Sequence, residues 1–100
     1  MTEQERDFHF ETIVAHLKEV LLKKGNDYAN SDVLSNFKLA GSICGITAEK
    51  QCLSLIATKV ARLGVLLSSD KSPANESIDD STIDLIGYSI LLSMLIREQV

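Results

Sequence analysis

The stretch that decides the fold, residues 75–96, reads NESIDDSTIDLIGYSILLSMLI. On a helix, Asp80, Asp84 and Tyr88 recur every fourth residue, so their side chains lie along one stripe. From Ile83 to Ile96 the stretch is apolar almost all round, and the neighbouring helices of so small a chain cannot cover all of such a surface. The sequence therefore predicts a long helix with carboxylates on an apolar surface, in a protein that forms a homodimer or larger homo-oligomer.

Three more helices are predicted before this one. Thr2 and Glu5 have the spacing of a capping box, which starts a helix, and Thr47 is placed to cap another. Gly25 and Gly45 supply helix ends. The four predicted helices span roughly residues 2–24, 33–43, 47–67 and 75–96. Together they predict an all-α fold, a small four-helix domain over residues 1–100 with three longer helices and one short helix.

Apolar side chains in the first and third predicted helices recur with the helical period. The first stripe consists of Phe10, Ile13, Val14, Leu17 and Leu21, and the second of Leu53, Ile56, Val60, Leu63 and Leu67. Each stripe is expected to face the core. Cys44 and Cys52 lack both CxxC spacing and nearby ligand histidines, so we expect two reduced thiols in the core and no zinc site.

Composition and charge exclude several classes of partner. The net charge is −4 and the pI is about 5.0, so the chain lacks the basic face of a protein that binds duplex nucleic acid. The charged start of the chain has no apolar segment typical of a signal peptide, and no run of eighteen apolar residues follows. We expect a cytoplasmic protein without a membrane partner, whose ligands are small molecules or copies of itself.

Two cations stand out in the third predicted helix. Lys59 and Arg62 are three residues apart, hence neighbours, on a segment otherwise poor in charge. Their partner is either the carboxylates of Asp80 and Asp84 or the phosphate of a ligand, which Arg grips as a fork and Lys meets as a point charge. Acids at the start of a helix complement its dipole, which explains Asp80 in part. Asp84 lies further in and needs another explanation.

A polar loop after the first helix adds further candidates. Asp27 could supply a third carboxylate and Tyr28 a flat surface for a base, although a helix-ending turn explains the same residues. Lys24, at the end of the first helix, either complements the helix dipole or reaches a phosphate. Phe37 and Tyr88 are further aromatic candidates for contact with a ligand.

Four blocks of the sequence resemble a known family. They are KGNDY at 24–28, SNF at 35–37, TKVARL at 58–63, and NESI at 75–78 continuing through Asp80, Asp84 and Tyr88. In this order they resemble the phage and prophage proteins called nucleotide modification associated domain type 1, over about residues 10–96. The resemblance implies a protein that handles nucleotides, with an all-helical build similar to the MazG-type nucleoside triphosphate pyrophosphatases.

The MazG-type carboxylate pattern is incomplete in this chain. Those enzymes carry Glu-Glu-x-x-Glu on one helix and Glu-x-x-Asp on another, because several carboxylates must hold Mg²⁺ against a triphosphate. Here Glu11 and Glu19 are eight residues apart, and Asp80 and Asp84 are four apart. The resemblance therefore points to nucleotides more firmly than to a reaction.

Three functions remain as alternatives. In the first, which we favour, the chain captures a phosphate-bearing nucleotide without turnover or a cofactor, and as a phage protein sequesters a host immune signalling nucleotide, cyclic or linear, in the host cytoplasm. In the second, Asp80 and Asp84, with or without Asp27, hold Mg²⁺ for a MazG-like triphosphate pyrophosphatase. In the third, the chain is a structural helical oligomer whose acids pair with Lys59 and Arg62.

Overall fold

The computed structural model describes residues 1–23, 32–68 and 75–99, with the backbone alone for residues 23 and 75–77. The helices are α1 (Glu3–Lys18), α2 (Ser35–Cys44), α3 (Ala48–Ser68) and α4 (Asn75–Glu98), and a π-helical segment (Glu19–Lys23) directly follows α1. These ranges contain no strand. The all-α prediction, with three longer helices and one short, is confirmed.

Thr2 caps α1 as the sequence predicted, through one of the two hydrogen bonds of a capping box. Thr2 has an extended backbone, and its Oγ1 accepts a hydrogen bond of 3.1 Å from the backbone N–H of Glu5. The Thr2 hydroxyl also lies 3.2 Å from Oε1 of Glu5. The Thr2 side chain therefore fixes the first turn, because it satisfies a backbone N–H that has no partner inside the helix, and Glu5 holds the Thr2 hydroxyl in place.

A tight turn joins α2 to α3. Gly45 adopts a left-handed conformation with φ of 73°, and the N–H of Ile46 donates to the carbonyl of Gly41 over 2.9 Å. A Cβ on Gly41 would lie 2.9 Å from the Ile46 carbonyl oxygen, so only glycine lets the chain fold back this closely. Thr47 then caps α3 by accepting from the N–H of Lys50 over 3.1 Å, as its position in the sequence predicted.

The long helices α3 and α4 form an antiparallel pair. Contacts join Glu49 to Gln99 near one end and Lys59 to Asp84 nearer the other, so the two helices run in opposite directions. The core between them and α2 consists of Leu34, Cys52 and Leu95, with partly buried Phe37, Ala48, Ile56, Tyr88, Leu91 and Leu92 around it. Burial of this set is the main favourable contribution to the fold.

One of the two cysteines was assigned to the core wrongly. Cys52 is fully buried, but Cys44 is exposed at the end of α2. The prediction rested on the general tendency of free cysteines to be buried. That tendency does not apply to Cys44, because it is the last residue of a ten-residue helix that leads into the exposed loop before α3.

Among the described residues, only the end of α1 packs on the other helices. Leu17 is buried, and in the π-helical segment Leu21 lies over Gly87 of α4, where an added Cβ would come within 3.4 Å of Leu21 Cδ2. Every residue from 1 to 13 is exposed, including Phe10 and Ile13 of the predicted stripe. The stripe has the period that was predicted, but this chain buries only its second half.

The predicted stripe of α3 divides between two sides of the helix. Leu63 is buried and Ile56 half-buried against α4, whereas Leu53, Val60 and Leu67 are exposed. Successive residues on a helix turn by about 100°, so the second group lies roughly a quarter turn from the first. The expectation that all five face the core was therefore wrong for three of them.

One of the described helices, Ala48–Ser68, is long and apolar enough to cross a membrane by length and composition. Core helices of soluble proteins have the same length and composition, so this property alone does not identify a membrane span. The absence of a membrane partner stays a prediction.

Candidate functional site

The centre of the candidate site is an ion pair between the two long helices. Nζ of Lys59 on α3 lies 3.0 Å from Oδ2 of Asp84 on α4, and the side chains are 27% and 41% exposed. The antiparallel register brings them together, because each lies on the side of its helix that borders the partner helix. At this exposure the pair contributes about 0.2 to 1 kcal/mol to stability. Its main effect is to hold the Lys59 ammonium at a defined position.

Arg62 on α3 and Asp80 on α4 lie one turn beyond Lys59 and Asp84, on the same sides of the two helices. Arg62 follows Lys59 by about one turn of α3, and Asp80 precedes Asp84 by about one turn of α4, so the antiparallel register brings both to the same end of the pair. Both side chains are exposed. Within the described ranges, neither forms an ion pair within 4.0 Å.

Two of the predicted aromatic residues contact each other. The rings of Phe37 on α2 and Tyr88 on α4 meet edge to face, with centroids 6.4 Å apart and planes at 86°. This geometry is favourable because the positive edge of one ring meets the negative face of the other. The backbone carbonyl of Tyr88 accepts from Sγ of Cys52 over 3.3 Å. Burial raises the pKa of the Cys52 thiol, which keeps it protonated as a donor.

Phe37 and Tyr88 line a cavity of about 740 Å³. Aliphatic side chains from α1, the π-helical segment, α3 and α4 form most of its wall, and Asn36 and Lys18 add polar groups. A cavity of this size lies within the range of small-molecule sites, which are typically apolar with a few polar groups. Sequence reasoning missed the aliphatic part of this wall, because a leucine that lines a cavity has the same helical period as one in the core.

The cavity and the ion pair are adjacent along both helices. On α3, Leu55 lines the cavity, and Lys59 and Arg62 follow it at four and seven residues on the same side. On α4, Tyr88 lines the cavity and Asp84 lies one turn before it. At 1.5 Å per residue, Leu55 to Arg62 covers roughly 10 Å along the helix axis. The arrangement is apolar and aromatic at one end and charged at the other.

Three predicted site residues, Lys24, Asp27 and Tyr28, lie outside the described residues. The helix that carries Asp80 begins at Asn75, so Asp80 lies in the second turn. The explanation by the helix dipole assumed that it lies in the first turn. In the parts of the chain that the structure describes, no group of three or more His, Cys, Asp and Glu side chains is placed to hold a metal ion. Asp84, one of the two predicted Mg²⁺ ligands, contacts Lys59, and the magnesium alternative stays a prediction.

A second ion-pair cluster escaped the sequence analysis. Lys38 on α2 contacts Asp32, with Nζ 2.6 Å from Oδ2, and also Glu98 at the end of α4. The hydrogen bond from Lys38 and one from the N–H of Leu34 lower the pKa of Asp32, while Asp32 and then Glu98 raise the pKa of Lys38. The hydrogen bond from the N–H of Leu34 to Oδ1 of Asp32 joins residues only two apart, but the contact with Glu98, 60 residues from Lys38, had no local signal.

No protein-family model, curated protein or solved structure matches the chain. The resemblance drawn from the four sequence blocks therefore stays an expectation.

Proposed function

We propose that the chain captures a phosphate-bearing nucleotide, with the base in the cavity beside Phe37 and Tyr88 and the phosphate at Lys59 and Arg62. One observation carries the proposal: the aromatic cavity continues along the same sides of α3 and α4 into the cation pair. A nucleotide has the same order of chemistry, an aromatic base followed by a polar sugar and an anionic phosphate. The roughly 10 Å between Leu55 and Arg62 is a distance that one nucleotide spans.

The base end of the proposed site is apolar and aromatic. Bases bind in such cavities because burial removes their flat faces from water, and aromatic rings offer stacking or edge contacts in addition. Asn36, in the cavity wall, can both donate and accept hydrogen bonds. It is therefore the group best suited to read the polar edge of a base.

The phosphate end depends on two different cations. Arg62 is exposed, and its planar guanidinium can bind two phosphate oxygens at once. Lys59 has three donors, and its contact with Asp84 leaves others for a ligand. In this role Asp84 is a positioning residue, which holds Lys59 toward the end of the cavity and limits its freedom before the ligand arrives.

Capture without turnover suits the removal of a signalling molecule from solution. Together with the phage-family resemblance, this supports the further proposal that the chain sequesters a host immune signalling nucleotide, cyclic or linear, in the host cytoplasm. The pyrophosphatase alternative needs carboxylates that are free to bind Mg²⁺. The Lys59 contact with Asp84 opposes that requirement, so we do not propose hydrolysis.

A thermal-shift panel tests the proposal. The full chain is incubated with nucleoside mono-, di- and triphosphates and cyclic dinucleotides, each with and without Mg²⁺, and products are followed in parallel. A ligand at 100 times its Kd stabilises the folded state by about 2.7 kcal/mol, which raises Tm by roughly 10 to 20 °C for a chain of this size. Stabilisation without products supports capture. Mg²⁺-dependent release of pyrophosphate replaces capture with hydrolysis, and no shift with any ligand leaves the structural oligomer.

Three variants assign the two ends of the site. Lys59→Ala and Arg62→Ala should weaken binding of both the nucleotide and inorganic pyrophosphate. Phe37→Leu should weaken binding of the nucleotide but not of inorganic pyrophosphate, because it removes a ring and keeps apolar volume. Lys50→Ala is the matched control, since Lys50 is an exposed lysine of the same helix. Equal losses of affinity in Lys50→Ala and Lys59→Ala would indicate general charge attraction and not a binding site.

A further inference from the structure

The outer side of α3 carries an exposed apolar stripe with a regular repeat. Its members, spaced alternately four and three residues apart, are Leu53, Ala57, Val60, Gly64 and Leu67. All five are exposed, with Leu53 and Val60 each at 53% and Leu67 at 69%. A 4-3 spacing is the pattern by which one helix presents a continuous seam to another. We propose that a second copy of this chain packs its α3 antiparallel against this stripe.

Residue size alternates along the stripe, and this alternation favours an antiparallel pair. In a parallel symmetric pair, each residue faces the same residue of the partner copy. Pairs of large side chains would then alternate with pairs of small ones, which would leave gaps between the helices. In an antiparallel pair, Leu53 can lie over Gly64 of the partner copy, and Val60 over Ala57 of the partner copy. The largest residue then meets the smallest, which keeps the spacing of the helices even. Each contact occurs twice, as two-fold symmetry requires.

Gly64 supports a partner outside the chain. A glycine within a helix costs about 0.8 to 1.0 kcal/mol relative to alanine, and a Cβ at Gly64 would meet nothing within 4 Å among the residues that the structure describes. The other two glycines within the described helices differ, since a Cβ at Gly41 or Gly87 would contact neighbouring atoms. The described part of one chain therefore gives no reason for glycine at position 64, whereas a leucine of a second copy does.

The exposed area of the chain is large enough for such an interface. The chain exposes 7460 Å², whereas a compact monomer of 11.0 kDa exposes about 5600 Å². The difference is about 1900 Å², and each partner in a standard interface contributes about 800 Å². The excess belongs to the whole chain, including the exposed residues 1–13 as well as the stripe, and less than half of it equals one side of a standard interface.

The stripe covers one side of α3, and the residues beside the cavity lie on the other. Lys59 and Arg62 turn away from the stripe, so a lipid environment around the whole helix would place charge in hydrocarbon. Packing of a second copy on the stripe needs no such step. It also leaves the proposed nucleotide site open, so this inference and the proposed function stand or fall separately.

A matched pair of substitutions tests the stripe. Val60→Glu places a carboxylate within the proposed interface, while Val65→Glu makes the same change on the same helix at an exposed position off the stripe. The oligomeric state is measured by sedimentation velocity over a range of concentrations, with helix content followed by circular dichroism. We expect a dimer for the unchanged chain and for Val65→Glu, and a dissociation constant raised at least about 100-fold for Val60→Glu, because a carboxylate buried without a partner is strongly unfavourable.

Several results would overturn the inference. A monomeric unchanged chain at all concentrations would do so, and so would a dimer that survives Val60→Glu with its helix content intact. If Val60→Glu loses helix content, cross-linking decides the question. The chain should also stay in solution when centrifuged with phosphatidylcholine vesicles, since sedimentation with them would assign the stripe to lipid.

Cross-linking tests the antiparallel register directly. In a Cys44→Ser background, Ala57→Cys and Val60→Cys variants are mixed and oxidised. The mixture should form a mixed disulfide, because those positions face each other across the pair, and neither variant alone should link to itself as fast. Faster self-linking of either variant would indicate a parallel pair, and no linking beyond that of an Ala57→Cys and Val65→Cys mixture would remove the interface.

Discussion

The two sides of α3 carry opposite kinds of surface. One side passes through Leu55, Lys59 and Arg62, from an apolar cavity to a cation pair beside α4. The other, with Leu53 and Val60, presents apolar residues of alternating size and no charge, and both of these are exposed. The difference shows that a position in a helix is explained by what lies across from it. Across from the first side lies α4, and we infer that a second copy lies across from the other.

The largest expected effect separates a buried leucine of α3 from an exposed one. Leu63→Ala should lower the free energy of unfolding by about 2 to 4 kcal/mol, because Leu63 is 9% exposed and its loss leaves a cavity. Leu53→Ala should cost less than about 1 kcal/mol in dilute protein, since that side chain is half exposed. Urea denaturation at several protein concentrations measures both.

Concentration distinguishes the two leucines further. The loss in Leu53→Ala should grow with protein concentration, because a dimer adds to stability by mass action, while the loss in Leu63→Ala should appear at every concentration. Equal losses that are both independent of concentration would remove the distinction between the two sides.

The next effect changes sign between the monomer and the dimer. Gly64→Ala should stabilise the dilute chain by up to about 1 kcal/mol through helix propensity, since the added Cβ meets nothing among the described residues of the chain. The same Cβ should weaken the dimer, because it fills the recess for Leu53 of the partner copy. Thermal unfolding of dilute protein and sedimentation velocity measure the two effects.

Gly41→Ala is the control for this sign change. Its Cβ would lie 2.9 Å from the Ile46 carbonyl oxygen, so it should destabilise the chain at every concentration. If Gly64→Ala also destabilised dilute protein, Gly64 would have a function within the monomer, and the inference from its empty surroundings would fail.

The sequence predicts local structure well, and tertiary placement much less well. The Thr2 and Thr47 caps and the end of α2 at Gly45 were all predicted correctly, because each depends on neighbours within four residues. The side of α3 that faces α4 was not, because Leu53 and Leu63 belong to the same apolar period. Which of them is buried depends on the antiparallel register, and helical period carries no information about that register.

The candidate site divides in the same way. Lys59 and Asp84 could be chosen from the sequence because charge is rare on these apolar segments, and their contact is one of the two outcomes that were left open. The cavity beside Tyr88 could not, because it depends on how α1 and α2 sit against α4. Chemical rarity can be read from a sequence, whereas the shape of a cavity depends on tertiary packing.

A smaller effect is expected from the ion pair between α3 and α4. A double-mutant cycle with Lys59→Met and Asp84→Asn should give a coupling free energy of about 0.2 to 1 kcal/mol, because both side chains remain partly exposed. Urea denaturation of the four proteins at one concentration provides it. A coupling several times larger would mean that the pair is desolvated in solution, and Lys59 would then be a structural residue with little capacity for phosphate.

The smallest effect concerns Lys38, which connects α2 to the end of α4 and lies on neither side of α3. The pKa of Asp32 is lowered by its hydrogen bond with Lys38, so this contribution to stability is present above the ordinary Asp pKa of 3.8 and is lost as the pH falls through the folded-state pKa. The pKa of Lys38 is raised, so its contribution is present below 10.5 and is lost as the pH rises through the folded-state value. The urea midpoint of the unchanged chain should therefore exceed that of Lys38→Met at pH 7, and this difference in midpoint should narrow near pH 3.

Glu98→Gln is the control, because it keeps the contact between Lys38 and Asp32. Its urea midpoint at pH 7 should stay well above that of Lys38→Met. A difference in midpoint between the unchanged chain and Lys38→Met that persists in acid would mean that Lys38 stabilises α2 through its aliphatic stem. Apolar packing would then hold α2 against α4, as it holds the side of α3 that carries Leu63.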